Sequence, residues 1–149
     1  LVHLASMKVE HAWNFTSSYT HPLRTNNTHL ASGQKVITDA PVDNHGLGQA
    51  FSPTDLLSTS LASCVLTIMG IHANSKDYEL ISANANIQKT MAANPRRVAA
   101  IRIDFQVVVS GGASDQALAV LEKVGRACPV ARSLHPDLKQ ELRFSFERA

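Results

Sequence analysis

Two cysteines, Cys64 and Cys128, are the residues of this chain best suited to nucleophilic or redox chemistry. Cys64 lies in an apolar stretch, so the alternative interpretation is that it is simply a small core residue. Cys128 precedes Pro129 at a predicted helix start, where unpaired amides and the helix dipole favour a thiolate and lower the thiol pKa. Oxidation of one thiol to sulfenic acid, followed by attack of the other, would give a disulfide. The two residues suit a peroxidatic and resolving pair, provided that folding brings them together.

A thiolate that cleaves a peroxide also needs a nearby cation, because the thiolate and the departing alkoxide are both anionic. For any one arginine, a solvated surface position is the alternative interpretation. The candidate guanidinium groups are those of Arg24, Arg96, Arg97, Arg126 and Arg132. The carboxylates that could orient such a cation are those of Asp39, Asp43 and Asp55, of which Asp55 has a competing role as a helix cap.

Other chemistries find weaker support. A zinc site of Cys64, His72, Cys128 and His135 can be drawn, but neither cysteine has a second ligand at zinc-finger spacing. There is no GxSxG motif for serine hydrolysis, and Gly46 with Gly48 forms neither a GxGxxG motif nor a P-loop. We therefore expect no metal and no bound cofactor.

The composition is that of one globular domain. The chain has 149 residues, of which 44% are hydrophobic and 17% charged. A net charge of +2 with scattered Lys and Arg argues against a nucleic-acid partner. Residues 1–6 precede Met7 and lack signal-peptide features, so we interpret them as an expression-tag remnant before a domain spanning residues 7–149. Two cysteines and no signal peptide indicate a soluble protein of the cytoplasm, without a membrane span.

A long helix from Phe51 to Asn74 is predicted at the centre of the fold, with a cap at Ser52 and Pro53 at its first position. No charge occurs between Asp55 and Lys76, which indicates that the helix is covered on most sides. One sheet cannot cover both faces of this helix, so we expect a second subunit to pack against it in a homodimer. The predicted buried face comprises Leu57, Leu61, Cys64, Val65, Ile68 and His72, and the opposite face carries small residues such as Ser58 and Ala62.

The other segments give an α+β order of elements. Before the helix come a hairpin of VEHAWNF and LRTNNTHL joined at SSYTHP, and the strand KVITDAP. After it come two long antiparallel strands, YELISANANIQKTM and RRVAAIRIDFQVVVS. A helix capped by Ser114, a short helix starting at Cys128 and a closing strand, ELRFSFER, complete the chain.

Four blocks of this sequence resemble the OsmC/Ohr family of organic hydroperoxide reductases and their OsmC-like relatives. The blocks are TDAPVDNHGLGQAF, SPTDLLSTSLASCVLTIMGIHA, NPRRVAAIRIDF and CPVARSL. The resemblance implies an intertwined α+β homodimer with active sites at the subunit interface. It further implies a thiol peroxidase with Cys64 as the peroxidatic residue, Cys128 as the resolving residue, and a dithiol or lipoylated protein as reductant.

The resemblance also implies that Arg24 stabilises the thiolate. At the acidic position the sequence departs from the well-characterised peroxidases, which have glutamate directly after the proline of the helix cap. Here Thr54 occupies that place and Asp55 follows, as in the OsmC-like branch. The functional hypothesis is an organic hydroperoxide reductase using Cys64, Cys128, Arg24 and Asp55. The alternative is a dimeric redox-sensing or ligand-binding protein with little turnover.

Overall fold

The computed structural model describes residues 12–149 and contains two three-stranded sheets and three α-helices within that range. The predicted tag remnant, residues 1–6, lies outside the described residues. The chain divides into two compact units, Leu1–Pro53 and Thr54–Ala149, which we describe separately.

The first unit contains an antiparallel sheet of order β1-β2-β3. Its strands are β1 Phe15–Thr20, β2 Arg24–His29 and β3 Lys35–Asp39, followed by a single turn of 3₁₀ helix at Val42–Asn44. The hairpin is present as predicted, and its second strand, LRTNNTHL, contains β2. The first predicted strand, VEHAWNF, lies partly outside the described residues, and the predicted turn is wrong in position. The segment SSYT is strand rather than turn, because its side chains alternate across a paired ladder, and the chain reverses at residues 21–23.

The second unit packs helices on a sheet of order β4-β5-β6. The pairing of β4 with β5 is antiparallel, as predicted, and that of β5 with β6 is parallel. The elements are α1 Pro53–Asn74, β4 Leu80–Ala92, β5 Arg97–Val109, α2 Asp115–Arg126, α3 Pro129–Ser133 and β6 Lys139–Arg148. Ser114 caps α2, since its Oγ accepts the N–H of Ala117 at 3.1 Å. The predicted α+β order is therefore confirmed.

Strand β5 supplies much of the core. Its alternating side chains, such as Ile103 and Phe105, are at most 1% exposed and pack in one cluster with apolar residues of α1 and α2. This period of two is the reason that the segment forms a half-buried strand rather than a helix.

The buried face of α1 differs from the predicted one. Its buried residues are Ser58, Leu61, Ala62, Val65, Met69 and Ala73. Leu61 and Val65 were predicted correctly, whereas Leu57 is 38% exposed. Small residues such as Ala62 are thus buried, whereas larger apolar side chains such as Ile71 lie outside.

Helix α1 is also long and apolar enough to cross a membrane, by length and composition alone, with a mean hydropathy of 1.6 over its best window. The sequence had predicted no membrane span, because Ser and Thr interrupt this apolar stretch. The core helix of a soluble protein meets the same criterion, and the buried apolar residues of α1 belong to the core cluster of the second unit.

Candidate active site

The two cysteines are neighbours in the second unit, where Cys64 lies close enough to Cys128 to raise the pKa of its thiol. Both are free thiols. Cys64 lies on α1 and is partly buried against the core, whereas Cys128, between α2 and α3, is 0% exposed. The fold thus brings together two thiols that are 64 residues apart in the sequence, which a disulfide-forming pair requires.

Hydrogen bonds from both flanking helices hold Cys128. Its N–H donates to the carbonyl of Gly125 at 3.2 Å, where α2 ends. Its Sγ accepts the N–H of Ala131 at 3.4 Å, and its carbonyl accepts the N–H of Arg132 at 3.1 Å. The cysteine is therefore the N-cap of α3, as the Cys-Pro pair predicts.

The pKa of Cys128 does not follow the sequence-based prediction. Burial raises the pKa of this thiol, and the neighbouring Cys64 thiol raises it further, whereas the Ala131 amide lowers it. The prediction of a lowered pKa considered the helix start and omitted the loss of water around the sulfur, which disfavours the charged form. Cys128 therefore keeps its proton and can donate it towards Cys64.

A second cluster of polar side chains lies in the first unit and centres on Arg24. Its Nε donates to Oδ1 of Asp39 at 2.7 Å, and its Nη2 donates to Oδ2 at 2.9 Å, so the pair is bidentate. The same Nη2 donates to Oε1 of Gln49 at 3.1 Å, and the N–H of Gln49 donates to Oδ2 of Asp39 at 3.0 Å. The β2–β3 register sets this pair, because Arg24 is directly opposite Asp39. Such a fork fixes the guanidinium plane.

The Arg24–Asp39 pair predicts an acid-sensitive first unit. The Arg24 guanidinium lowers the pKa of Asp39 below its usual value of 3.8. A lowered folded-state pKa contributes stability above the usual value, and this contribution is lost as the pH falls through the folded-state pKa. We expect Asp39→Asn to flatten the decline of stability on acidification below about pH 5, measured by urea unfolding at a series of pH values. Asp137→Asn, at an aspartate 86% exposed, is the control. An unchanged pH dependence in Asp39→Asn would contradict this account.

Asp55 lies in the first turn of α1 and belongs to a different cluster. Its Oδ1 accepts from Nζ of Lys89 at 2.8 Å, and the same Nζ donates to Oγ1 of Thr54 at 2.9 Å. Asp55 precedes Cys64 by nine residues, which is about 13.5 Å along the helix and about half a turn around it. Within one chain, α1 therefore does not bring the Asp55 carboxylate to the Cys64 thiol.

Other residues named from the sequence have structural contacts in this fold. Arg126 donates to the carbonyl of Leu142 at 2.8 Å and lies 5.0 Å from the centre of the Phe144 ring. Arg132 donates to the carbonyl of Ala127, and Arg97 to that of Pro95, both at 2.9 Å. Among residues 12–149, no three His, Cys, Asp or Glu side chains are grouped so as to hold a metal ion.

Sequence reasoning missed Gln49 and Lys89. Gln49 stands in the loop before α1, and nothing in the sequence of that loop indicated a partner for it. Lys89 is only 18% exposed at its side chain, although it occupies a polar position of a long strand. A lysine on an alternating strand is ordinarily solvated, so the sequence did not indicate its contact with Asp55, which depends on the fold.

Comparison with known proteins identifies the family of this chain. The profile of OsmC-like proteins matches residues 46–143. The chain belongs to the OsmC-like family. No curated protein matches the chain significantly. A solved structure from Psychrobacter arcticus 273-4, of a proposed osmotic-stress-induced and detoxification response protein, is 40% identical. The alignment covers 97% of this chain and 100% of that one, with a TM-score of 0.82.

More distant members share the OsmC-like fold. An organic hydroperoxide resistance protein, OsmC, of Legionella pneumophila is 14% identical with a TM-score of 0.63, over 91% of this chain and 99% of that one. The organic hydroperoxide resistance protein OhrB of Bacillus subtilis is 13% identical with a TM-score of 0.61, over 88% of this chain and 96% of that one. At these identities the similarity establishes the fold only.

Proposed function

We propose that this OsmC-like protein is a thiol peroxidase that reduces organic hydroperoxides with Cys64 and Cys128. The observation that carries the proposal is that the two free thiols are neighbours at the core of one unit. Cys64 is the partly accessible member of the pair, and its surroundings are apolar. Such surroundings favour a substrate with a hydrocarbon body over a strongly hydrated one.

In the first step, the Cys64 thiolate sulfur bonds to the terminal oxygen of the hydroperoxide and the O–O bond breaks. The alkoxide takes up a proton and leaves as the alcohol, while Cys64 becomes a sulfenic acid. In the second step, the Cys128 sulfur attacks the Cys64 sulfur, the S–O bond breaks, and the hydroxyl leaves as water with the proton of Cys128. An external dithiol, which we expect to be lipoylated protein in a reducing cytoplasm, then reduces the disulfide and is itself oxidised.

The raised pKa of Cys128 supports this division of roles. A thiol that keeps its proton is a poor first nucleophile, because the thiolate is the species that attacks. We therefore assign the first oxidation to Cys64 and the resolving step to Cys128.

We further propose that Arg24 stabilises the negative charge of this reaction. Its guanidinium is held by Asp39 and Gln49, so its orientation is fixed before substrate binds. In this assignment Asp39 is the carboxylate that orients the arginine. The predicted role of Asp55 at the catalytic centre stays a proposal, and its contact with Lys89 supports a structural role at the start of α1.

The exposed apolar side chains of the chain predict a homodimer. On α1, Leu57 is 38% and Ile71 62% exposed, and in the first unit Trp13 is 76% and Phe15 66% exposed. Apolar surface of this kind is typical of an obligate interface. We expect sedimentation velocity to give the mass of a dimer at about micromolar concentration. A monomer that persists as the concentration rises would contradict the prediction.

A redox sensor with little turnover is the second candidate. It is favoured by Lys89, which holds the carboxylate at the position where the family resemblance implies a catalytic acid. Mixing the reduced protein with excess cumene hydroperoxide and dihydrolipoamide separates the two functions. A peroxidase consumes many equivalents of peroxide per Cys64, whereas a sensor consumes one equivalent and stops.

A further inference from the structure

We infer that Gly125 is a positioning residue for disulfide closure. The lack of a side chain at the end of α2 lets this helix approach α1 closely enough for Cys128 to reach Cys64. The inference rests on the proposed two-cysteine mechanism, and it concerns the resolving step rather than the attack on peroxide.

The close approach is visible at two core residues of α1. A Cβ placed on Gly125 would lie 3.1 Å from Cγ and Sδ of Met69 and 3.1 Å from Cγ1 of Val65. Both residues are 0% exposed. Met69 has a flexible side chain, but Val65 is β-branched and stiff, and it directly follows Cys64 in the helix. A methyl group at Gly125 must therefore push α2 outward by a few tenths of an ångström or disturb the turn that carries Cys64.

Such a displacement is transmitted directly to Cys128. The Cys128 N–H donates to the carbonyl of Gly125 at 3.2 Å, and the Ala127 N–H donates to that of Val124 at the same distance. These bonds tie the start of α3 to the end of α2. The Cys64–Cys128 contact is therefore set by how closely position 125 packs on α1.

Glycine is otherwise unfavourable at this position. Position 125 lies within the last turn of α2, where alanine has the higher helix propensity. An alanine there would stabilise the isolated helix. Unfolding of α2 would therefore not explain a lower tendency of Gly125→Ala to form the Cys64–Cys128 disulfide.

The experiment equilibrates the reduced protein with mixtures of glutathione and glutathione disulfide, without peroxide. Two electrons pass from the dithiol to glutathione disulfide, which gives the Cys64–Cys128 disulfide and two glutathione molecules. We expect Gly125→Ala to lower the equilibrium constant for disulfide formation about tenfold, because small misplacements of reacting atoms are costly. We expect Gly125→Val to lower it further.

Two controls separate positioning from general damage. Gly112→Ala adds a Cβ that meets no atom within 4 Å, so the equilibrium constant should not change. Oxidation of Cys64 by excess cumene hydroperoxide should proceed at the wild-type rate in Gly125→Ala, because the substitution affects only the resolving step. An equilibrium constant of Gly125→Ala within about twofold of wild type would overturn the inference, whether or not the valine variant folds. A wild-type protein that forms this disulfide with glutathione but consumes no peroxide would refute the proposed function alone.

Discussion

Replacing Cys64 by serine is expected to lower peroxide turnover by about 10³-fold or more. The serine hydroxyl stays protonated at neutral pH and forms no sulfenic acid, so neither the first step nor the disulfide remains possible. The measurement is steady-state consumption of cumene hydroperoxide with dihydrolipoamide as the reductant. Turnover in Cys64→Ser within about tenfold of wild type would remove Cys64 from the reaction.

Cys128→Ser is the matched variant, and it should show a different defect. Oxidation of Cys64 should proceed within about threefold of the wild-type rate, because Cys128 acts only afterwards. The reaction should then stop at the sulfenic acid, which dimedone traps. The thermal stability of Cys128→Ser must be measured together with its kinetics. Cys128 is 0% exposed, and burying a serine hydroxyl at this position can destabilise the fold. If Cys128→Ser lost the first oxidation while Cys64→Ser kept it, the two roles would have to be exchanged.

Replacing Arg24 by alanine is expected to lower the rate of the first oxidation by about 10² to 10³-fold, as for the removal of one preorganised donor. Arg24→Lys keeps the charge but loses the bidentate contact with Asp39, so its rate of first oxidation should lie between those of Arg24→Ala and the wild type. The rate is measured by single-turnover oxidation of Cys64 under excess peroxide.

The two carboxylates provide the matched comparison for Arg24. Asp39→Asn removes the charged half of the bidentate pair and should resemble Arg24→Lys. Asp55→Asn weakens the contact with Lys89 at the start of α1 and should change the rate by less than about threefold. A large loss in Asp55→Asn together with a small one in Asp39→Asn would reverse our assignment of the orienting carboxylate.

Much of this architecture is predictable from local sequence. Pro53 begins α1, Ser114 caps α2, and Cys128 with Pro129 begins α3, because each of these features depends on a few adjacent residues. The alternation in β5 predicts both its strand conformation and its burial. The order of elements follows from these signals, and the family resemblance agrees with them.

Features that depend on contacts distant in sequence were not predictable to the same degree. The sequence offered three carboxylates for an arginine, and only the β2–β3 register pairs Arg24 with Asp39. The buried face of α1 was misassigned because small residues such as Ser58 and Ala62 are buried, and in a helix without charges after Asp55 the sequence does not mark which side faces the core. The pKa of Cys128 was predicted in the wrong direction because burial is a property of the fold.

The measurement that tests the central claim most directly is peptide mass spectrometry of the reduced protein after one equivalent of cumene hydroperoxide. We expect a single product in which a disulfide joins the peptides that contain Cys64 and Cys128, with one equivalent of alcohol released. Recovery of both cysteines as free thiols, or a Cys64 sulfenic acid that persists while Cys128 remains reduced, would contradict the two-cysteine mechanism.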